Sequence, residues 1–153
     1  MADTPDVTDT TAAPEEPRRV LPRFPEPDTE PFWEATKEHE LRFQVCDACE
    51  GVVFYPRAHC THCTSTELSW RTSAGTGTIY SFSVVRRSLH PSFLDLVPYV
   101  VSWVDVDEGF RLMTHIVDVD PDDPHSGLEI GARVIVSWID RGTVNLPGFR
   151  IDR

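Results

Sequence analysis

Residues 46–63 read CDACEGVVFYPRAHCTHC and contain all four cysteines of the 153-residue chain. Two C-x2-C pairs, separated by ten residues, each direct two thiolates toward one point, and two facing pairs complete a tetrahedral sulfur site. The predicted ligands are Cys46, Cys49, Cys60 and Cys63. Because protein sulfur fills all four positions, the metal would be structural rather than catalytic. Zinc fits this ligand set, and iron in a site of the rubredoxin type stays open as the alternative.

Disulfide bonds and a redox dithiol are the other common uses of paired cysteines. Disulfides are typical of secreted proteins, but residues 1–20 are polar and acidic and lack the apolar stretch of a signal peptide. A redox C-x2-C pair normally lies beside a βαβ unit, which the pattern here does not predict. No apolar run approaches the ~20 residues needed to cross a bilayer. We therefore expect a cytoplasmic protein without a membrane segment, whose cysteines bind a metal.

The N-terminal segment differs from the rest of the chain in composition. Residues 1–31 contain eight acidic and three basic residues, together with seven of the thirteen prolines. Such a segment buries too little apolar surface to offset its ordering entropy, so we predict a disordered acidic tail over residues 1–28. Its last part, from Val20 to Pro25, is apolar enough to lie extended along a partner's surface.

A short helical segment is predicted over residues 29–40, with Thr29 as its N-cap and Pro31 in its first turn. Phe32, Trp33 and Thr36 are expected to lie on one side of this helix. They either pack on their own domain or contact a partner protein, and the sequence leaves both alternatives open.

Three short strands are predicted around the cysteine pairs, within residues 41–72. Leu41, Phe43 and Val45 alternate with polar residues in the period of two that is typical of a strand. One further short apolar run follows the first cysteine pair, and another follows the second. Alternating strands and cysteine pairs in this order indicate a zinc ribbon, a unit too small to fold without its metal.

Longer strands are predicted over residues 73–153. Tyr80, Phe82 and Val84 are expected to share one face of the first of them. Phe110, Leu112, Thr114 and Ile116 are expected to share one face of a later strand. Five short strands with one long connection, over residues 86–97, fit a small Greek-key barrel of the OB type. The strand count alone does not separate an OB barrel from an SH3-like one.

The ordered motifs of residues 32–151 resemble the DUF35 family. These motifs are Pro31-Phe32-Trp33, the two cysteine pairs, Tyr55-Pro56-Arg57, Ser73 to Phe82, Pro98 to Val101, Asp107-Glu108-Gly109 and Leu146 to Arg150. The resemblance implies a mainly β chain with a short N-terminal helical segment, a rubredoxin-like zinc ribbon and a five-stranded OB-fold. The family usually has glycine after the second cysteine of each pair, where this chain has Glu50 and Thr64. Turns there often need a positive φ, so we expect strain.

The same resemblance implies an accessory role in acyl-CoA metabolism. Members of the family look like partners of thiolase-like enzymes, including lipid-transfer-type thiolases, and of MaoC-like hydratases. In actinobacterial steroid side-chain degradation, such a domain pairs with a thiolase-like aldolase that performs the carbon–carbon chemistry. The implied function is a non-catalytic subunit of a hetero-oligomer that supports its partner and helps form the acyl-CoA site or pass substrate.

No catalytic set is recognisable in the chain, which lacks a G-x-S-x-G elbow, a P-loop and a dinucleotide fingerprint. A coenzyme A thioester would need cations for its phosphates and a flat aromatic surface for its adenine. The candidate contacts are Tyr55, Arg57, Phe82, Arg86, Arg87 and Phe93. These arginines could instead pair with the abundant carboxylates.

A nucleic-acid-binding module is the alternative function, because zinc ribbons and OB barrels both occur in such proteins. Outside residues 1–31, however, seventeen acidic and eleven basic residues leave a net charge of −6, and Lys37 is the chain's one lysine. Affinity for a phosphate backbone comes mostly from Lys and Arg. We therefore expect no binding to nucleic acid.

Overall fold

The computed structural model describes residues 26–153, so almost all of the predicted tail lies outside the described residues. The described chain contains one α-helix, α1 (Glu30–Lys37), a single turn of 3-10 helix (Pro91–Phe93) and eight strands. The strands are β1 (Arg42–Cys46), β2 (Val52–Val53), β3 (Leu68–Thr72), β4 (Thr76–Val85), β5 (Tyr99–Val106), β6 (Phe110–Ile116), β7 (Arg133–Asp140) and β8 (Asn145–Ile151). Within residues 26–153 there is no helix with the length and apolar character that a membrane span requires.

The strands form two sheets, which correspond to the predicted ribbon and barrel. In the first sheet, β1 lies between β2 and β3, and all neighbours are antiparallel. The other five strands close into a barrel in the order β4-β5-β6-β8-β7. Only β6 and β8 run parallel in this barrel, pairing at Ile116 and Phe149. A closed five-stranded barrel of this kind is an OB-fold, so the predicted fold class is confirmed.

The barrel interior is filled by the inward faces of its strands. On β6, Phe110, Leu112, Thr114 and Ile116 are buried, and the residues between them are at least partly exposed. This is the alternation that the period of two predicts, because successive side chains of a strand point to opposite faces. Phe149 of β8 is fully buried at the centre of the same core.

The first barrel strand departs from the prediction that Tyr80, Phe82 and Val84 share one face. A β-bulge between Ile79 and Ser81 shifts the register of β4 against β5. Tyr80 is therefore turned outward and is 52% exposed, whereas Phe82 and Val84 pack against the core. The prediction was wrong for Tyr80 because a bulge adds one residue to one strand and reverses the alternation beyond it.

The helix α1 packs against its own domain. Phe32 and Thr36 are buried, and Asn145 of β8 donates a hydrogen bond from Nδ2 to the Thr36 carbonyl oxygen at 3.0 Å. Thr29 is the N-cap residue, as predicted, but its side chain does not cap the helix, because its Oγ1 donates to the Glu26 carbonyl oxygen at 3.3 Å. The sequence left open whether this face packs on its own domain or contacts a partner protein. Phe32 packs on its own domain.

One hydrophobic core joins the helix, the ribbon and the barrel. Phe54, which follows β2, lies 4.5 Å from Phe110 of the barrel and 5.9 Å from Phe32 of the helix, measured between ring centroids. Phe43 of β1 lies 5.2 Å from the same Phe110 ring. Aromatic pairs at such distances are stabilising beyond the area they bury. The ribbon and the barrel therefore depend on each other for part of their stability.

The turn between β5 and β6 also anchors the link between ribbon and barrel. Glu108 accepts hydrogen bonds from Ser73 Oγ and from the Ala74 N–H, both at 2.7 Å.

Glu108→Ala is expected to lower the free energy of unfolding by about 1–2 kcal/mol, because hydrogen bonds to a charged group are stronger than average. Urea unfolding measures this loss. The exposed Glu129→Ala is the control, expected to change stability by less than ~0.5 kcal/mol, and equal losses for the two variants would contradict the anchoring role.

Candidate metal centre and apolar groove

The structure brings the four predicted metal ligands together. The Sγ atoms of Cys46 and Cys63 lie 3.6 Å apart, as do those of Cys49 and Cys60. All four Sγ atoms lie within 4.8 Å of one another. A tetrahedral zinc ion with Zn–S bonds of ~2.3 Å requires sulfur separations of roughly 3.8 Å. The donor set and its spacing therefore fit a structural zinc ion.

Two similar tight turns position the thiols. The carbonyl oxygen of Cys46 accepts from the Glu50 N–H at 2.8 Å, and that of Cys60 accepts from the Thr64 N–H at 3.1 Å. Glu50 has a φ of 59° and Thr64 a φ of 66°, which is the left-handed region that glycine adopts readily and other residues do not. The two positions where the family usually has glycine are thus the two strained positions of the ribbon.

Glycine at these turns is expected to stabilise the protein. The left-handed conformation costs a residue with a Cβ roughly 1–2 kcal/mol, and the greater unfolded-state entropy of glycine offsets part of the gain. We expect Thr64→Gly to raise the free energy of unfolding by about 1 kcal/mol, and Glu50→Gly by somewhat less, because Thr64 is β-branched.

Urea unfolding of the zinc-loaded variants measures this gain. The matched control is Thr66→Gly, at an exposed residue of the same loop whose φ is not positive. There glycine should be neutral or destabilising. A gain at Thr66 as large as the gain at Thr64 would show that turn strain is not the cause.

The four thiols of the site do not share one acidity. Burial raises the pKa of Cys60, but the backbone N–H groups of His62 and Cys63 lower it, and the pKa falls to about 6. At Cys49 the Gly51 N–H lowers the pKa, but the neighbouring thiols and desolvation raise it to about 12. A divalent cation favours the deprotonated form of all four ligands, so zinc binding releases protons and weakens as the pH falls.

His62 lies between two ligand cysteines but is not a ligand. Its Nε2 lies 3.1 Å from the Val52 carbonyl oxygen. The imidazole ring covers Gly51, where an added Cβ would come within 2.5 Å of the ring. Gly51 is thus required for this close approach, and the interpretation of His62 as a loop residue agrees with the structure.

An apolar groove of about 570 Å³ lies where the helix, the ribbon and the barrel meet. Four of the residues predicted to contact a ligand or a partner line it, namely Phe32, Trp33, Tyr55 and Phe93. The remaining lining comes mainly from β6 and the residues that follow it, with smaller contributions from β5, β8 and the connection between β4 and β5. Ligand pockets of roughly 300–1,000 Å³ with a mainly apolar lining are typical binding sites.

Few polar groups face this groove. His115 stacks on Tyr99 with the ring planes 4° apart and the centroids 5.1 Å apart. The charged lining residues are Asp118 and Arg141. One cation and one carboxylate among many apolar side chains suit an apolar ligand or peptide segment better than a polyanion.

The three candidate arginines lie outside the groove lining. Arg86 forms a two-point ion pair with Asp122, at 2.6 and 3.1 Å, and this pairing lowers the pKa of Asp122. Arg57 donates from Nε to the Tyr55 carbonyl oxygen at 3.0 Å. Arg87 is exposed. The alternative that these arginines pair with carboxylates therefore holds for Arg86.

Of the six predicted coenzyme A contacts, Tyr55 and Phe93 are brought together in the groove, and Phe82 packs against the barrel core. Sequence reasoning missed Tyr99 and Arg141, which also line the groove. Tyr99 is an aromatic residue at the start of β5, and Arg141 lies between β7 and β8. Neither carries a local signal of a shared site. Only the strand order of the barrel places them together.

Comparison with known proteins agrees with this architecture. Residues 33–69 match the family model described as "ChsH2, rubredoxin-like zinc ribbon domain", and residues 70–138 match "ChsH2, C-terminal OB-fold domain". A DUF35 domain-containing scaffold protein of Methanothermobacter thermautotrophicus is 35% identical over 99 residues, which cover 64% of this chain and 71% of that protein. The chain belongs to the DUF35 family. For the DUF35 metal centre, the zinc-ribbon match supports zinc over the iron alternative.

Two further relatives of this DUF35 chain carry enzyme names. The "Probable enoyl-CoA hydratase alpha subunit" of Thermomonospora curvata is 36% identical over 138 residues, which cover 89% of this chain but 41% of that protein. The DUF35 chain thus spans about two fifths of that relative's length. The solved structure "Ltp2-ChsH2(DUF35) aldolase" has a chain with 36% identity and a TM-score of 0.72, and the match covers 88% of this chain and 98% of that one.

Proposed function

We propose that this chain is a non-catalytic accessory subunit of a thiolase-like enzyme that acts on an acyl-CoA thioester. The observation that carries the proposal is the match to the Ltp2-ChsH2(DUF35) aldolase chain, of which 98% is covered at 36% identity. Similarity over nearly the whole of a subunit, rather than over one motif, supports the same kind of assembly. The hetero-oligomer would then contain this chain and a thiolase-like partner.

The relatives share a structural unit rather than a reaction. They are named as part of an aldolase, as a scaffold protein and as a hydratase subunit. A unit that occurs beside different chemistries is expected to support or position an enzyme rather than to perform one reaction, because function depends on the site and not on the fold. This pattern favours the accessory role, with a MaoC-like hydratase as the alternative partner.

The chemistry of the chain supports the same proposal. All four cysteine Sγ atoms converge on the metal centre, so no cysteine thiol is left to act as a nucleophile. Four protein ligands leave the zinc no open position for substrate. Carbon–carbon bond cleavage would therefore be performed by residues of the partner.

We further propose that this chain contacts coenzyme A directly. Arg86 and Arg87 follow β4 and are exposed. Guanidinium groups can bind phosphate oxygens at two points, and at Arg86 a phosphate would replace the Asp122 carboxylate. We expect the double variant Arg86→Ala, Arg87→Ala to weaken acyl-CoA binding by the complex about tenfold, the loss of roughly one charged contact. Calorimetry measures the affinity, and exposed Arg71→Ala is the control. Unchanged affinity in the double variant would exclude these two contacts.

Affinity purification of the tagged protein from its native host, followed by mass spectrometry, tests the accessory role. Recovery of a thiolase-like protein in stoichiometric amount is the expected result. Recovery of a hydratase-like protein would assign the alternative partner. Nucleic acid, or the chain alone, would contradict the proposal, and nucleic acid would favour the binding-module alternative.

A further inference from the structure

The apolar groove begins next to the first described residue of the chain. Thr29 is part of its lining. The Glu26 carbonyl oxygen accepts hydrogen bonds from the N–H groups of Thr29 and Glu30 at 3.0 and 2.9 Å. These bonds hold Glu26 within one turn of the groove. The described part of the chain therefore begins at the groove's edge.

The sequence just before Glu26 has the opposite charge to the rest of the N-terminal segment. Residues 18–25 read RRVLPRFP, with three arginines, no acidic residue and three large apolar side chains. Residues 1–17 contain five acidic residues and no basic residue. A short basic and apolar segment thus separates the acidic residues from the folded domain.

The folded domain has the complementary charge. Residues 26–153 contain twenty acidic and eleven basic residues. Asp118 lines the groove, and the exposed Asp120 and Asp123 follow it on the same loop. Among residues 26–153, Arg141 is the one arginine in the lining. Charge complementarity therefore favours binding of an arginine-containing segment at the Asp118 side of this groove and disfavours binding of an acidic segment.

We propose that the groove binds residues 18–25 of the same chain. The apolar side chains of Leu21 and Phe24 match the apolar lining, and aromatic-lined grooves bind proline-containing segments well because such segments lose little entropy on binding. The lining follows β6 and the residue after it, from Leu112 to Val117, a length of about 17 Å. Eight residues in an extended conformation reach about 25 Å, so the segment is long enough to cover it. This inference does not depend on the proposed function.

Hydrogen exchange on the full-length, zinc-loaded protein tests the proposal in the absence of any partner or thioester. We expect the double variant Leu21→Asp, Phe24→Asp to increase the exchange rate of the amides in residues 112–117 about tenfold, because the groove loses its cover. The amides of β1, in the ribbon, should be unchanged. Val7→Asp, in the acidic part of the N-terminal segment, is the matched control and should change neither region.

A labelled peptide of sequence RRVLPRFP gives a second readout. It should bind the double variant at least about tenfold more tightly than the unaltered chain, because the attached segment competes at high effective concentration. Equal peptide affinity for the two proteins, or equal exchange of the groove amides, would overturn the proposal. Groove protection that increases with protein concentration would also overturn it and assign the groove to a second copy of the chain.

Discussion

Replacing Cys60 with serine is expected to reduce the zinc content from about one ion per chain to almost none and to unfold the ribbon. Cys60 is buried, and its Sγ is one of the four that converge on the metal centre. The ribbon's own core consists of Cys46, Val53 and Cys60, with Leu68 packed against them. Such a core cannot hold three strands by itself, whereas structural zinc contributes an apparent ~10–16 kcal/mol in small domains.

The measurements are metal analysis of the purified variant and hydrogen exchange over residues 42–72. His62→Ala is the matched control, because His62 lies between two ligands without being one, and this variant should keep its zinc. The barrel should also lose stability in Cys60→Ser, since Phe43 and Phe54 complete its core beside Phe110. A Cys60→Ser protein with full zinc occupancy and unchanged exchange would contradict the assignment of the metal centre.

Phe149→Ala is the second substitution with a large expected effect, a loss of about 3–5 kcal/mol in the free energy of unfolding. Phe149 is fully buried and lies where β8 closes the barrel against β6. It pairs with Ile116, and its carbonyl oxygen accepts the Val117 N–H at 2.7 Å. Truncation removes the buried ring and leaves a cavity at the closure, where the backbone limits collapse.

Urea unfolding of the zinc-loaded protein measures this loss. Arg150→Ala is the matched control on the next residue of the same strand, where the side chain is exposed and the expected change is below ~0.5 kcal/mol. A loss of similar size in both variants would mean that β8 itself is weakened. In that case the buried ring would not be the cause.

The parts of the fold that sequence predicted well are those set by local spacing. The cysteine spacing predicted the four thiols that converge in the structure, because a C-x2-C turn brings its two thiols together whatever the rest of the chain does. The alternation from Phe110 to Ile116 likewise identified a strand with one buried face. The resemblance to the DUF35 family predicted a positive φ at Glu50 and Thr64, where the family usually has glycine, and both residues have one.

The parts that sequence could not predict depend on contacts between distant residues. The bulge that turns Tyr80 outward depends on how β4 pairs with β5. The groove combines Phe32 of the helix, Phe93 of a connection and Leu146 of β8, which come together only after the barrel closes. No periodicity within one segment contains that information, so the arginines chosen by residue type did not coincide with the groove.

This chain is proposed to support an acyl-CoA enzyme without performing the reaction itself. The most direct test is to measure acyl-CoA turnover by the purified thiolase-like partner, by this chain and by their complex. We expect turnover by the complex, none by this chain alone and little by the partner alone. Turnover by this chain alone, or equal turnover by the partner with and without it, would contradict the accessory role.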